Sequence, residues 1–302
     1  MVNGQRSTVC TIGFFDGVHR GHRHLINQVL EVAHSQGLES LVVTFAQQPR
    51  RVLNALNTDC SQQTVNTLLT TTEEKIMLLK QAGIDHCEVM EFTPELASFT
   101  ARAFMQLLKK QYGVAALVIG YDHRFGHNRS EGFDDYVRYG QELGINVILA
   151  TEYPAVSSSK IRELLLEGNL LVANNCLGYY YRLQGLVVSG FHVGHSIGFP
   201  TANLLMNQEK LIPANGVYAV YVTMNDKRYQ GMLNIGTRPT MDNGNARSVE
   251  VHIFDFHENI YNQMLGLELV KHTRGEVKFA TKEQLVLQLK QDAIEIKNML
   301  KL

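Results

Sequence analysis

Residues 12–22 read IGFFDGVHRGH, a glycine-rich turn with two histidines three positions apart. The run before it, TVCTIG at 8–13, has the apolar composition of a buried strand. After it, from about His22 to Ser35, Leu25, Ile26, Val29 and Leu30 recur at helical spacing until Gly37 ends the pattern. Strand, turn and helix in that order make half of a βαβ unit, and the rhythm continues outward. Further strands are expected at 41–45, 87–92, 115–120 and 145–150. Helices are expected from the Thr71–Glu74 capping box to about Ala82, and at about 95–112, 130–143 and 158–167. Such alternation predicts an α/β doubly wound parallel sheet.

Beyond about residue 178 helical periodicity gives way to short β-rich runs: LQGLVVSG, GVYAVYVTM, KRYQGMLNIG, SVEVHIFDF and LGLELVKHT. Turn residues such as Asn225-Asp226 and Asp242-Asn243-Gly244 separate several of them, which suits an antiparallel barrel or sandwich. A last helix is expected at about 282–300, with Leu285, Leu289, Ile294 and Met299 among its apolar positions. The stretch GNLLVANNCLGYYY at 168–181 reads as the joint.

The chain has 302 residues, enough for two domains, and is 45% hydrophobic and 19% charged, an ordinary globular balance. A net charge of −1 gives no electrostatic reason to expect nucleic acid or a membrane as partner. Cys10, Cys60, Cys87 and Cys176 form no CxxC pair, so neither a disulfide framework nor a zinc site is expected. With no signal-like apolar start and no 18-residue apolar run, a cytoplasmic protein is the expectation.

In a doubly wound sheet, ligands bind beyond the carboxyl ends of the strands. Gly13, Gly17 and Gly21 recur every four residues, which fits neither a dinucleotide fingerprint nor a Walker loop. Backbone N–H groups at the helix start favour an anion, and His19 and His22 there suit a triphosphate. Surface histidines are the plainer alternative, and two ligands are too few for a tetrahedral metal. Ser158 and Ser159 likewise read either as phosphate contacts or as plain caps. In the second half, Thr201 and Asn203 project to one side of an extended GFPTANL run at 198–204, as hard oxygen donors for Mg²⁺ or as polar turn residues. In SVEVHIFDF at 248–256, Val249, Val251 and Ile253 share one face and Glu250 and His252 the other, where Glu250 is either solvated or a general base.

These motifs carry a resemblance. GFFDGVHRGH is similar to the signature of the HxGH nucleotidyltransferases, and with GYDHRFGHNRSEG at 120–132 and SSSKIR at 157–162 it looks like the FAD synthetase branch. GFPTANL, NIGTRPT at 234–240, SVEVHIFDF and TRGEVKF at 273–279 resemble riboflavin kinase, in that family's order. Together the halves resemble the bacterial bifunctional riboflavin kinase/FAD synthetases. The resemblance implies an FMN adenylyltransferase domain over 1–178 and a riboflavin kinase domain over 183–302, the latter a mainly antiparallel β-barrel with a C-terminal helix. It implies ATP, riboflavin, FMN and FAD as small-molecule partners, with Mg²⁺, in a monomer or weak oligomer. By the same resemblance His19, His22, Arg162 and Glu250 are catalytic, and Thr201 and Asn203 hold the metal. Gly13, Phe14, Asp16, Gly17, Gly21, Asp122, Phe125, Ser158, Ser159, Gly198, Pro200, Asn234, Arg238 and Arg274 bind ATP or flavin. Two family positions differ here. The stretch 44–49 reads TFAQQP, so Gln47 and Gln48 stand where the pattern has proline and histidine, and 192–196 reads HVGHS where a basic residue is usual. At this point a kinase with an impaired adenylyltransferase domain, and a non-catalytic flavin-binding protein, stay open as alternatives.

Overall fold

The computed structural model describes residues 7–49, 67–127, 130–154, 156–189, 197–238 and 246–301, without the side chains of Arg238 and Ala246. By its internal contacts the chain divides into two compact units, Met1–Ser157 and Ser158–Leu302.

The first unit contains β1 (Thr8–Ile12), α1 (Arg20–Gln36), β2 (Glu39–Phe45), α2 (Thr72–Gln81), β3 (His86–Met90), α3 (Pro94–Ala97), α4 (Ala101–Tyr112), β4 (Val114–Ile119), α5 (Phe133–Leu143) and β5 (Asn146–Leu149). The strands form a parallel sheet in the order β3-β2-β1-β4-β5. All five residues of β1 are buried, as a central strand covered on both faces requires. One face packs Cys10, Ile12, Leu41 and Val43 against Phe104, Met105, Leu108 and Tyr136 of α4 and α5. The α1 helix buries Ile26, Val29 and Ala33, and the left-handed Gly37 ends it as the sequence predicts. The capping box at Thr71 and Glu74 opens α2 with both reciprocal hydrogen bonds in place. The helix expected over 95–112 is instead two. Thr93 caps α3, and the Thr100 hydroxyl accepts from the Ala103 N–H, starting a second helix.

The second unit opens with α6 (Ser158–Leu166) and α7 (Leu170–Leu177). The stretch 168–181, expected to be a joint, is thus largely helical. Asn174 fixes α7 to the strands that follow, donating to the Leu269 carbonyl and accepting from the Tyr181 N–H. Next come β6 (Tyr181–Val188), β7 (Ala202–Met206), β8 (Gly216–Met224), β9 (Lys227–Arg238), β10 (Ala246–Ile253), β11 (Met264–Arg274) and α8 (Lys282–Leu300). The strands form a closed barrel ordered β10-β7-β6-β11-β8-β9, antiparallel at every pairing. The α8 helix packs Leu289, Ala293, Ile296 and Leu300 against Val217, Ala219, Tyr221 and Met232. Ile294, expected on its apolar face, is exposed, because the buried stripe runs through 289, 293, 296 and 300. Cys10, Cys87 and Cys176 are free thiols; Cys60 and the turn at 242–244 lie outside the described residues.

Gly140 sits inside α5 where an added Cβ would lie 2.5 Å from the Ile145 carbonyl oxygen and 2.6 Å from Val147 Cγ2. A helical glycine normally gains about 1 kcal/mol on replacement by alanine. Here overpacking, typically about 1–3 kcal/mol, opposes that gain. Gly140→Ala is therefore expected to lower stability in denaturant unfolding; a raised midpoint would show that the α5–β5 contact relaxes freely.

Candidate active sites

The first site is built on the turn that leaves β1. The order β3-β2-β1-β4-β5 reverses direction at β1 and β4, the switch point where doubly wound sheets bind ligands. Gly13 donates its N–H to the Val43 carbonyl at 3.1 Å, and the chain then turns through left-handed conformations at Phe15, Gly17 and Val18. Such a conformation is costly for a β-branched valine and persists only where the surroundings impose it. They do so through Asp16. Its buried carboxylate accepts from the N–H groups of Leu69 and Thr70 at 3.0 Å each and from the Thr70 hydroxyl at 3.2 Å. The Thr70 hydroxyl oxygen in turn accepts from the Gly17 N–H at 3.0 Å. Asp16, expected at the ligand, thus spends its carboxylate on holding the turn.

His19 caps α1, its Nδ1 accepting from the His22 N–H at 3.3 Å. The two rings stack with centroids 3.6 Å apart and planes 17° from parallel, while Phe15 meets His22 edge-on at 5.2 Å. Gly21 leaves room for the stack: a Cβ there would press to 3.2 Å from the His19 ring. Burial lowers the His19 pKa to about 4. Burial, then the neighbouring His19 and Lys75, holds that of His22 well below its ordinary value. Both rings are therefore neutral near pH 7, and with Nδ1 accepting, His19 carries its proton on Nε2 as a donor. His22 Nδ1 is buried and has no hydrogen-bond partner among the described residues.

Asp122 is exposed on the turn after β4, where the His123 N–H bonds to the Gly120 carbonyl. Phe125, expected at the ligand, is a core residue, stacked 4.3 Å from Tyr136 and bonded to it through both backbone polar groups. Asn128 and Arg129 of the same motif lie outside the described residues. After β2, Gln48 buries an Oε1 with no partner among the described residues. Ser158, Ser159 and Arg162 open α6, the first element of the second unit.

The second site is a row across three strands. Glu250 on β10 lies directly opposite Asn203 of β7 on one side and Asn234 of β9 on the other. Paired residues in an antiparallel sheet share a face, so a carboxylate stands between two amides. Val249, Val251 and Ile253 are buried on the opposite face, as the alternation predicts. The Thr201 hydroxyl donates to Glu250 Oε2 at 3.4 Å. His252 holds the approach to Thr201 by bonding the Pro200 carbonyl through Nδ1 at 2.7 Å, and Gly198 before it is left-handed. A hydroxyl, an amide oxygen and a carboxylate are the hard donors Mg²⁺ prefers, and no cluster of three His, Cys, Asp or Glu suited to a softer metal occurs among the described residues. Arg274 is engaged by Asp292 of α8, Nη2 to Oδ2 at 2.7 Å and Nε to Oδ1 at 3.2 Å, while Gln288 holds the same carboxylate at 2.8 Å. The Arg238 side chain and the 192–196 stretch lie outside the described residues. Sequence reasoning missed Lys75, Thr44 and Asp292. Lys75 left a trace, lying three and four positions before the buried Leu78 and Leu79 of α2.

Comparison with known proteins follows this division. Residues 2–163 match the FAD synthetase family and residues 177–300 the riboflavin kinase family. The chain is 34% identical over 287 residues to the bifunctional riboflavin kinase/FMN adenylyltransferase of Listeria monocytogenes, covering 94% of this chain and 90% of that protein. It is 35% identical over 296 residues to the protein of the same name from Escherichia coli, covering 96% and 92%. In structure it is similar to the macrolide-efflux protein from Streptococcus pneumoniae, with a TM-score of 0.87 at 30% identity over 98% of this chain and 95% of that one. Among the described residues no helix is long and apolar enough to cross a membrane.

The depressed His19 pKa has a stability consequence with a definite sign. The unfolded chain takes up this proton near pH 6.5 and the folded chain only near 4, so the stabilisation is complete above pH 6.5 and is lost as pH falls toward 4. Each tenfold loss of proton affinity corresponds to about 1.4 kcal/mol, which makes the whole effect about 3 kcal/mol. His19→Asn keeps a capping acceptor but does not titrate. Its denaturant midpoint is expected to fall less between pH 7 and 4.5 than that of the parent; equal slopes would contradict a neutral His19.

Proposed function

The chain belongs to the bifunctional riboflavin kinase/FMN adenylyltransferase family, and on that premise we propose how its residues divide the two reactions. It phosphorylates riboflavin to FMN with ATP, and adenylates FMN to FAD with a second ATP, releasing pyrophosphate. Adenylyl transfer belongs to a domain within residues 1–178, phosphorylation to one over 183–302.

For adenylation the work is positioning and charge stabilisation. His19 and His22 donate hydrogen bonds to the triphosphate and to the departing pyrophosphate. The backbone of Gly13, Phe14, Gly17 and Gly21 lines the phosphate approach. Ser158, Ser159 and Arg162 add hydroxyls and a guanidinium suited to phosphate oxygens. Asp122 contacts the nucleoside.

For phosphorylation Glu250 takes the proton of the ribityl 5′-hydroxyl, whose oxygen then attacks the terminal phosphoryl group of ATP. The observation that carries this assignment is the row Asn203–Glu250–Asn234, which fixes a carboxylate on a rigid strand with amides on both sides. Thr201 and Asn203 would hold Mg²⁺, which neutralises phosphate charge when bound. Gly198, Pro200, Asn234, Arg238 and Arg274 complete the nucleotide and flavin subsites, Arg274 being steadied by Asp292. Use of ATP supports a cytoplasmic location. The net charge of −1 supports a chain with neither nucleic acid nor membrane as partner. We take it to work as a monomer or weak oligomer.

The test uses purified chain with riboflavin or FMN, ATP and Mg²⁺, resolving the three flavins over time. His22→Ala is expected to slow FAD formation about 10²–10³-fold, the scale of one lost transition-state donor, with FMN formation unchanged. Glu250→Gln is expected to slow FMN formation about 10²–10⁴-fold while still converting supplied FMN to FAD. Equal loss of both activities in either variant would refute the division.

A further inference from the structure

Lys75 lies on the buried side of α2 and is 2% exposed. Lysine stems are often buried, but the ammonium ordinarily reaches water. This one does not. Its Nζ donates to the Phe45 carbonyl at 2.8 Å and to the Phe14 carbonyl at 3.1 Å, and sits 4.3 Å from the centre of the Phe14 ring. Phe45 is the last residue of β2, and Phe14 opens the turn after β1. The Phe14 carbonyl accepts again from the Thr44 hydroxyl at 3.1 Å, so one ammonium and one hydroxyl lace the two strand ends together. Burying a charge is penalised by several kcal/mol unless it is paired and hydrogen-bonded, and an apolar side chain would fill the same space without that penalty. The charge therefore has a use beyond packing.

That use is suggested by what the lysine grips. Immediately after Phe14 come the left-handed Phe15, Gly17 and Val18, and then the stacked His19 and His22. Asp16 ties the same turn to residues 69–70. The titratable groups that face Lys75 are Asp16 of the turn, His22 of α1 and Cys87 of β3. Burial pulls the ammonium down to about 8, against Asp16 and Cys87, which hold it up.

We infer that Lys75 is a positioning residue for adenylyl transfer: its ammonium locks the Phe14–Val18 turn to the end of β2 in the conformation that presents His19 and His22, and supplies positive charge beside the His22 imidazole. The inference rests on that turn being the adenylation site, which His22→Ala tests separately.

The experiment follows FAD formation from supplied FMN, with riboflavin phosphorylation by the same chain as the internal reference. The group is charged below its pKa and neutral above it. Wild-type kcat/KM for ATP should therefore fall about tenfold per pH unit above about pH 8, with no such limb in the kinase reaction. Lys75→Met should lower kcat about 10²-fold with KM for ATP nearly unchanged, and should erase the limb. Lys75→Arg, which keeps donors and charge, should recover part of kcat and move the limb beyond the measured range. If Lys75→Met does not fold, the wild-type profile still decides. A flat wild-type profile, or a Lys75→Met protein with unaltered kcat, overturns the inference. If His22→Ala is also fully active the site assignment has failed; if His22→Ala is crippled and Lys75→Met is not, only the role of Lys75 has.

Discussion

A buried carboxylate and a buried ammonium hold the turn after β1 from two sides, and the first site depends on that grip. Asp16 draws together the N–H groups of Leu69 and Thr70, and Lys75 draws together the carbonyls of Phe14 and Phe45. Each charge is matched to groups of opposite polarity on the backbone, the condition under which a charge can be kept away from water. Loss of either would remove one of the ties on the turn that runs through the left-handed Val18 to the cap at His19. The imidazole stack is in this sense a dependent feature, since its geometry is set by residues far away in sequence.

The second unit solves its positioning problem by other means. There Asn203, Asn234 and Glu250, the side chains proposed to act, sit on strands, and hydrogen-bonded register does what buried charge does in the first unit. Glu250 needs no special loop to face Asn203 and Asn234, because antiparallel pairing puts all three on one face. The Thr201 hydroxyl and the His252–Pro200 contact then anchor the segment that leads into β7.

Local signals were read well from sequence and non-local ones were not. Apolar runs and caps located most elements, because strand burial, the Thr71–Glu74 box and the left-handed Gly37 are properties of a few adjacent residues. The break at Ser98–Thr100 was missed because a threonine in a helical pattern does not announce that it will cap. The role of α7 was missed because Asn174 acts through Leu269, a partner 95 positions away. Within the sites, alternation alone put Glu250 and His252 on one face. That Asn203 and Asn234 flank Glu250 depends on register, which no single strand encodes. Asp16 and Phe125 lie in the motifs that the sequence displays; that the side chain of Asp16 braces the turn and that of Phe125 packs in the core depends on residues distant in sequence. The converse holds for Lys75, an unremarked residue of an ordinary helix whose place on the apolar side was the sign.

The closed barrel also restricts how the chain can change over generations. An insertion of one residue within β7, β9 or β10 would turn everything beyond it to the other face and break the row through Glu250. With no free edge, the neighbouring strands have nowhere to slide in compensation. Length variation in relatives should therefore gather in the connections, while the strands carrying Asn203, Asn234 and Glu250 keep a constant count. Drift in this half of the molecule is governed by parity as much as by chemistry.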